Sequence, residues 1–157
     1  MTLAFGIHHR YREFLKYALE VFGDRYLAFF PPTRTAACAN FYEKKGLPGC
    51  IGSIDCFHVN VKTKKTFEAE MHTGGKEGRT TMGVQICVAH NLYILDLSIS
   101  QGGLNDLNRL SESRVPQAFL QGTLGREEFK IGDWDFGMQY LLADSIYPRS
   151  VCVLGFT

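Results

Sequence analysis

The hydrophobic period of this chain changes at Gly49, and that change constrains the fold more than any other feature. Before it, apolar residues recur at helical spacing; after it, three runs alternate apolar and polar residues with a period of two, the mark of half-buried strands. The runs are "SIDCFHVNV" (53–61), "TMGVQICVA" (81–89) and "LYILDLSIS" (92–100). In the last, Leu95, Leu97 and Ile99 share one face, and Asp96, Ser98 and Ser100 the other. The second and third runs meet at His90-Asn91, and because Asn tolerates positive φ, a tight antiparallel hairpin is expected there. The first and second are separated by the polar connector "KTKKTFEAEMHTGGKEGR", of a length that is usually functional or disordered.

Two helices come first. Phe14, Leu15, Ala18, Leu19 and Phe22 lie on one apolar face of a helix over 8–22, with Arg12, Lys16 and Glu20 elsewhere and Gly23 placed to end it. "FFPPT" breaks the chain, and Thr33 is expected to cap a second helix that reaches Lys45 and stops at Gly46. Beyond the strands, "QGGLNDLNRLSES" reads as a loop entering a short helix at Asn105 or Asp106. "MQYLLADSIYP" reads as a short strand, Tyr140 to Ala143, ending on Asp144, and the apolar "SVCVLGFT" follows. The order helix, helix, three strands, helix, strand describes an α+β (α/β) chain with a mixed sheet. Several α+β folds begin this way, a ribonuclease-H-like one among them.

The 157 residues suffice for one domain with a real core, and twelve Phe and seven Tyr argue against disorder. A net charge of +1 leaves nucleic-acid and protein partners equally open. Five cysteines, at 38, 50, 56, 87 and 152, form no C-x-x-C pair and leave one over, which suits a reducing compartment. The apolar patch in "MTLAFGIHHRYREF" is too short for a signal peptide, and no run reaches membrane-spanning length. A nuclear or cytoplasmic protein, not secreted and without a membrane partner, is expected.

The chemistry centres on Asp55 in the first strand and Asp144 at the end of the fourth. If those strands are neighbours, both carboxylates meet at one sheet edge, where they repel unless a divalent cation such as Mg²⁺ or Mn²⁺ lies between them. The plainer reading is that each Asp caps a turn or faces solvent. Cys50, Cys56 and His58 hint at zinc but lack a fourth ligand and a C-x-x-C knuckle. Cys56 and His58, two apart on a strand, are poorly placed as a nucleophilic pair. "GGKEGRTT" lacks the spacing of a phosphate loop. Lys62, Lys64 and Lys65 could touch a phosphate backbone or simply be solvated, and Trp134 in "GDWDFG" is most simply a packing residue.

Three collinear motifs then match a known family. "KGLPGCIGSIDCFHV" resembles the segment opening the catalytic domain of PIF/Harbinger-type transposases, especially the plant transposon protein branch. "NDLNRLSES" and "FLQGTLGREEFKIGDWDFGMQYLLADSIYP" resemble two later segments of that branch, with Ser145 in place of a usual Gly. "ALEVFGDRYLAFFPPT" is similar to the helix preceding the domain. The resemblance implies a helical lead segment over 1–46 and a ribonuclease-H-like DDE nuclease domain from 47 to 157. It also implies divalent metal (Mg²⁺ or Mn²⁺) held by Asp55 and Asp144 as catalytic carboxylates. Asp106 matches a further acidic position, a candidate ligand, and His58 a position supporting the site or facing DNA. DNA, namely transposon ends, would be the substrate, with a separate DNA-binding protein as a further partner.

The family's third carboxylate, a Glu on a later helix, has no counterpart, since no residue after Asp144 is acidic. The chain is therefore expected to be a C-terminally incomplete fragment, inactive alone and with one sheet face uncovered. The alternative is a degenerate or domesticated domain that acts as a DNA- or protein-binding module.

Overall fold

The computed structural model describes residues 2–60, 81–101, 103–145, 147 and 153–155. Two helices, α1 (Thr2–Tyr26) and α2 (Pro32–Glu43), precede three strands, β1 (Cys50–Asn60), β2 (Thr81–Val88) and β3 (Ile94–Gln101). Helices α3 (Asp106–Glu112) and α4 (Arg114–Gln121) follow. Then come β4 (Phe129–Ile131), β5 (Trp134–Phe136), β6 (Tyr140–Ala143) and β7 (Val153–Gly155). This is the α+β arrangement expected, with a mixed five-stranded sheet in the order β3-β2-β1-β6-β7 and a separate β4–β5 ribbon. β1, β2 and β3 run antiparallel, whereas β6 pairs parallel with β1 and β7 parallel with β6. Among the described residues no helix is long and apolar enough to cross a membrane.

The helices differ from expectation at their ends. Gly23 lies inside α1, and Leu27 N still donates to Gly23 O at 2.8 Å, so a glycine without a left-handed turn does not stop this helix. Thr33 does not cap α2. Pro31 is the extended residue before it and Pro32 occupies the first turn, where the missing N–H is no loss. Gly46 does close the following turn: its φ is +83°, its N donates to Glu43 O at 3.0 Å, and Leu47 N donates to Tyr42 O at 2.9 Å.

The β2–β3 hairpin is present, but the positive φ falls on Leu92 (+64°), not Asn91. Asn91 contributes its side chain instead, accepting from Tyr93 N at 3.2 Å. Helix α4 escaped the sequence reading because Pro116 interrupts a short apolar run; a proline in the first turn is tolerated. Ser113 joins α3 to α4, its hydroxyl donating to Leu110 O at 2.9 Å.

One face of the sheet is covered. Ile54, Cys87, Leu141 and Ala143 pack there with Leu110, Val115, Ala118 and Phe119 of α3 and α4, and Phe30 and Cys38 join the same core. On β3 the apolar Leu95 is buried, and so is its polar neighbour Asp96. Asp96 accepts from Arg114 (Nη2 at 2.6 Å, Nε at 2.8 Å), while Leu97 and Ile99 stay exposed. The helices present arginines to this face, and a buried carboxylate is tolerated where a guanidinium reaches it. Among the described residues Phe57 and Val59 on β1 are exposed on the opposite face, whereas Val84, paired with Phe57, is buried.

Candidate active site at the strand ends

The two aspartates singled out by sequence come to neighbouring positions. β1 and β6 are paired in parallel, with Cys50 opposite Tyr140 and Ser53 opposite Leu142. Two residues further along each strand stand Asp55 and Asp144, Asp144 being the first residue past the end of β6. Neighbouring strands lie about 4.8 Å apart and side chains repeat every second residue. Counted from the Ser53–Leu142 pair, each aspartate stands two residues on, which brings both positions to the same end of the paired strands. Both are exposed. Asp55 is held in register by its pairing with Ile86, and its Oδ1 accepts from Cys56 N at 2.8 Å. The carbonyl of Asp144 accepts from Tyr147 N at 3.3 Å as the chain turns away.

A bulge produces this alignment. Between Cys50 and Ser53 β1 spends three steps while β6 spends two. Had the Cys50–Tyr140 register continued unbroken, Asp144 would stand opposite Ile54, whose side chain enters the core. Gly52 permits the bulge. A Cβ there would lie 2.8 Å from Val88 O and 2.9 Å from Leu95 Cδ1, so no larger residue fits without displacing β2.

On the covered face a second polar assembly supports the same strand. His58, Gly83 and Ser100 form one row across β1, β2 and β3. Gly83 leaves a hole in that row, filled by the guanidinium of Arg109 from α3, which is 2% exposed. Arg109 donates from Nε to Ser100 Oγ, from Nη1 to Asp106 Oδ1 and from Nη2 to His58 Nε2, each at 3.1 Å. Because arginine only donates, His58 Nε2 must accept, which leaves Nδ1–H to donate to Thr81 Oγ1 at 2.9 Å. Asn105 fixes the start of α3 by accepting Asn108 N at 2.8 Å, and so aims Asp106 and Arg109. Asp106 thus stands in an ion pair on the helix side.

Tyr147 links the two assemblies. It is buried, and its hydroxyl donates to Cys56 Sγ at 3.0 Å. Burial pushes its phenol well above the usual range, and the nearby Cys56, Asp106 and Asp55 push in the same direction, so it remains a donor.

The remaining sequence candidates separate. Cys50 is buried with its thiol donating to Gly52 O at 3.5 Å, Cys56 accepts from Tyr147, and both His58 nitrogens are engaged, so the three do not converge as zinc ligands. Trp134 is not a packing residue: it is 76% exposed beside the tip of the β4–β5 ribbon, whose inner side is filled by stacked Phe129 and Phe136. Lys62, Lys64, Lys65 and most of "GGKEGRTT" lie outside the described residues. Arg109, Gly83, Thr81 and Tyr147 were not singled out from sequence. Gly83 within a strand pattern and the Asp106-x-x-Arg109 spacing were the available signals.

Two solvent-facing carboxylates are hard oxygen donors of the kind Mg²⁺ or Mn²⁺ takes together with water, so the pair fits such an ion. Among the described residues no group of three or more His, Cys, Asp or Glu side chains gathers as a metal site. A family model described as plant transposon protein matches residues 25–155. No curated protein and no solved structure matches the chain.

Proposed function

Because the chain belongs to the plant transposon protein family, we propose that it carries the site of a metal-dependent DNA strand-cleaving and strand-transferring transposase of the PIF/Harbinger DDE type, on a ribonuclease-H-like sheet. The observation that supports this reading is the parallel pairing of β1 with β6, which brings Asp55 within β1 and Asp144, just past the end of β6, to the same end of the two strands. The strand order, with three antiparallel strands flanked by two parallel ones, supports the fold assignment.

On this reading Asp55 and Asp144 hold the divalent metal, which when bound supplies the Lewis acidity that activates water and stabilises the leaving oxygen of a phosphodiester. The chain's own contribution is positional. The Gly52 bulge sets the register, and the Asp106–Arg109–His58 chain braces β1 from behind. Asp106 serves here as a positioning residue. Duplex DNA is the substrate, a separate DNA-binding protein is a partner, and the nucleus is the place of action.

The test is a titration of Mn²⁺ or Mg²⁺ into the protein and into Asp55→Asn, followed by thermal unfolding and by nicking of supercoiled DNA. A metal-dependent stabilisation present only in the wild type supports the site. Identical responses in both proteins would sink it.

The exposed apolar side chains of Phe57, Val59, Leu97 and Ile99 favour a second reading, a transposase-derived domain that binds DNA or protein without cutting. Salt-sensitive DNA association unchanged by Asp55→Asn, with no nicking, would select it.

A further inference from the structure

Helix α1 projects its apolar residues into solvent: Phe14 and Tyr17 are each 64% exposed, and Leu15, Val21 and Phe22 lie between 41% and 53%. Among its described residues Phe14, Ala18 and Val21 follow one another in steps of four and three, the spacing of a coiled-coil seam. Leu15 and Phe22 flank that seam, while Glu13, Lys16 and Glu20 occupy the outer side, where Lys16 and Glu13 pair at 3.0 Å. A cluster of exposed apolar side chains of this size is seldom left in water.

We infer that α1 is the surface on which a second copy of this chain docks, with the two α1 helices antiparallel. Charge and size choose both occupant and direction. About a two-fold axis near position 16, Phe14 of each copy meets Ala18 of the other, large against small. Arg10 on one flank meets Asp24 of the other copy, and the symmetry repeats the pair. Both charged residues are exposed. A parallel pairing would set Phe14 against Phe14 and leave Arg10 and Asp24 without opposite charges. An aromatic side chain carries roughly 150–250 Å². The half-exposed rings of Phe14, Tyr17 and Phe22 from two copies therefore supply about 500–900 Å² toward the ~1,200 Å² at which stable interfaces begin. The seam and flanking Leu15 supply more. The pairing does not depend on the metal site.

Sedimentation equilibrium of the full chain up to about 100 µM tests this, a range covering micromolar association. A dimer is expected, weakened about tenfold or more by Phe14→Glu and by Arg10→Asp. The exchange Arg10→Asp with Asp24→Arg should restore it. Circular dichroism of each variant checks that α1 still forms, and all three positions are exposed, so the fold is expected to survive. A chain that stays monomeric, or a dimer indifferent to Phe14→Glu, overturns the proposal. A dimer that the double exchange fails to rescue overturns the antiparallel register. A monomer that binds anionic vesicles through α1 would assign the cluster to a lipid surface instead.

Discussion

Asp55 and Asp144 each stand two residues beyond the Ser53–Leu142 pair because β1 takes one more step than β6 between Cys50 and Ser53, a single-residue bulge in the stretch that contains Gly52. Side chains alternate along a strand, so one residue of slippage would move Asp144 opposite Ile54 and the core. The bulge sets the two positions to the same count along their strands.

Gly52→Ala is therefore expected to harm the fold and the site together. Its Cβ would meet Val88 O at 2.8 Å, a backbone atom that cannot swing aside. A loss of about 1–3 kcal/mol is expected from urea unfolding, the usual scale of overpacking. Metal-induced stabilisation should vanish as well.

Asp55→Asn should behave in the opposite way. The asparagine amide keeps an Oδ1 that can accept from Cys56 N and the side chain is exposed, so without metal the variant should be about as stable as the wild type. With Mn²⁺ present the wild type alone should gain melting temperature, by the mass action of a ligand that binds only the folded form. Differential scanning calorimetry with and without metal checks both halves.

Gly83 and Arg109 should be strongly coupled. A Cβ at Gly83 would fall inside the guanidinium, and removing Arg109 unpairs Asp106 and empties the hole. Asp106 is partly exposed and can be resolvated, so Arg109→Ala is expected to cost about 1–3 kcal/mol, chiefly from the unpaired His58 and Ser100 and the emptied space. In Gly83→Ala combined with Arg109→Ala the new methyl enters vacated space, and a double-mutant cycle should show non-additivity on the order of 1–3 kcal/mol.

Alkaline pH should destabilise the protein in a defined window. Burial pushes the Cys50 thiol from 9.0 up to about 12, and the Tyr140 phenol from 10.0 also to about 12. Both groups hold their protons more tightly folded than unfolded. Their contribution is intact below pH 9 and declines as the pH rises from there toward 12, because the unfolded chain deprotonates first. Melting temperature measured against pH should fall across that interval, and the buried thiols should resist alkylation at pH 8 until denaturant is added.

Trp134 should contribute little. It is the single tryptophan of the chain and is 76% exposed, so Trp134→Ala is expected to change stability by no more than about 0.5 kcal/mol. Its fluorescence in the wild type should already be that of a solvated indole and shift little on unfolding.

What the amino-acid order determined by itself was local. Period-two alternation located β1, β2 and β3, Asn105 announced the start of α3, Gly46 the end of the turn after α2, and "YLLA" the strand before Asp144. Each of these rests on a residue's own backbone preference or on spacing along one element. Where neighbours decide, the order alone was silent or misleading. Alternation in β3 separates Leu97 from Asp96 without saying which goes inside, and arginines from two later helices hold Asp96 and Ser100. Thr33 lost its capping role to the prolines beside it, and Trp134, next to the tip of the β4–β5 ribbon, is left exposed. The placement of Asp55 and Asp144 at the same end of two neighbouring strands required a parallel pairing across 89 positions of chain and the phase slip at Gly52, and the hole that admits Arg109 required three strands in register. Register is a relation between strands, set by packing and bulges, and no single segment contains it.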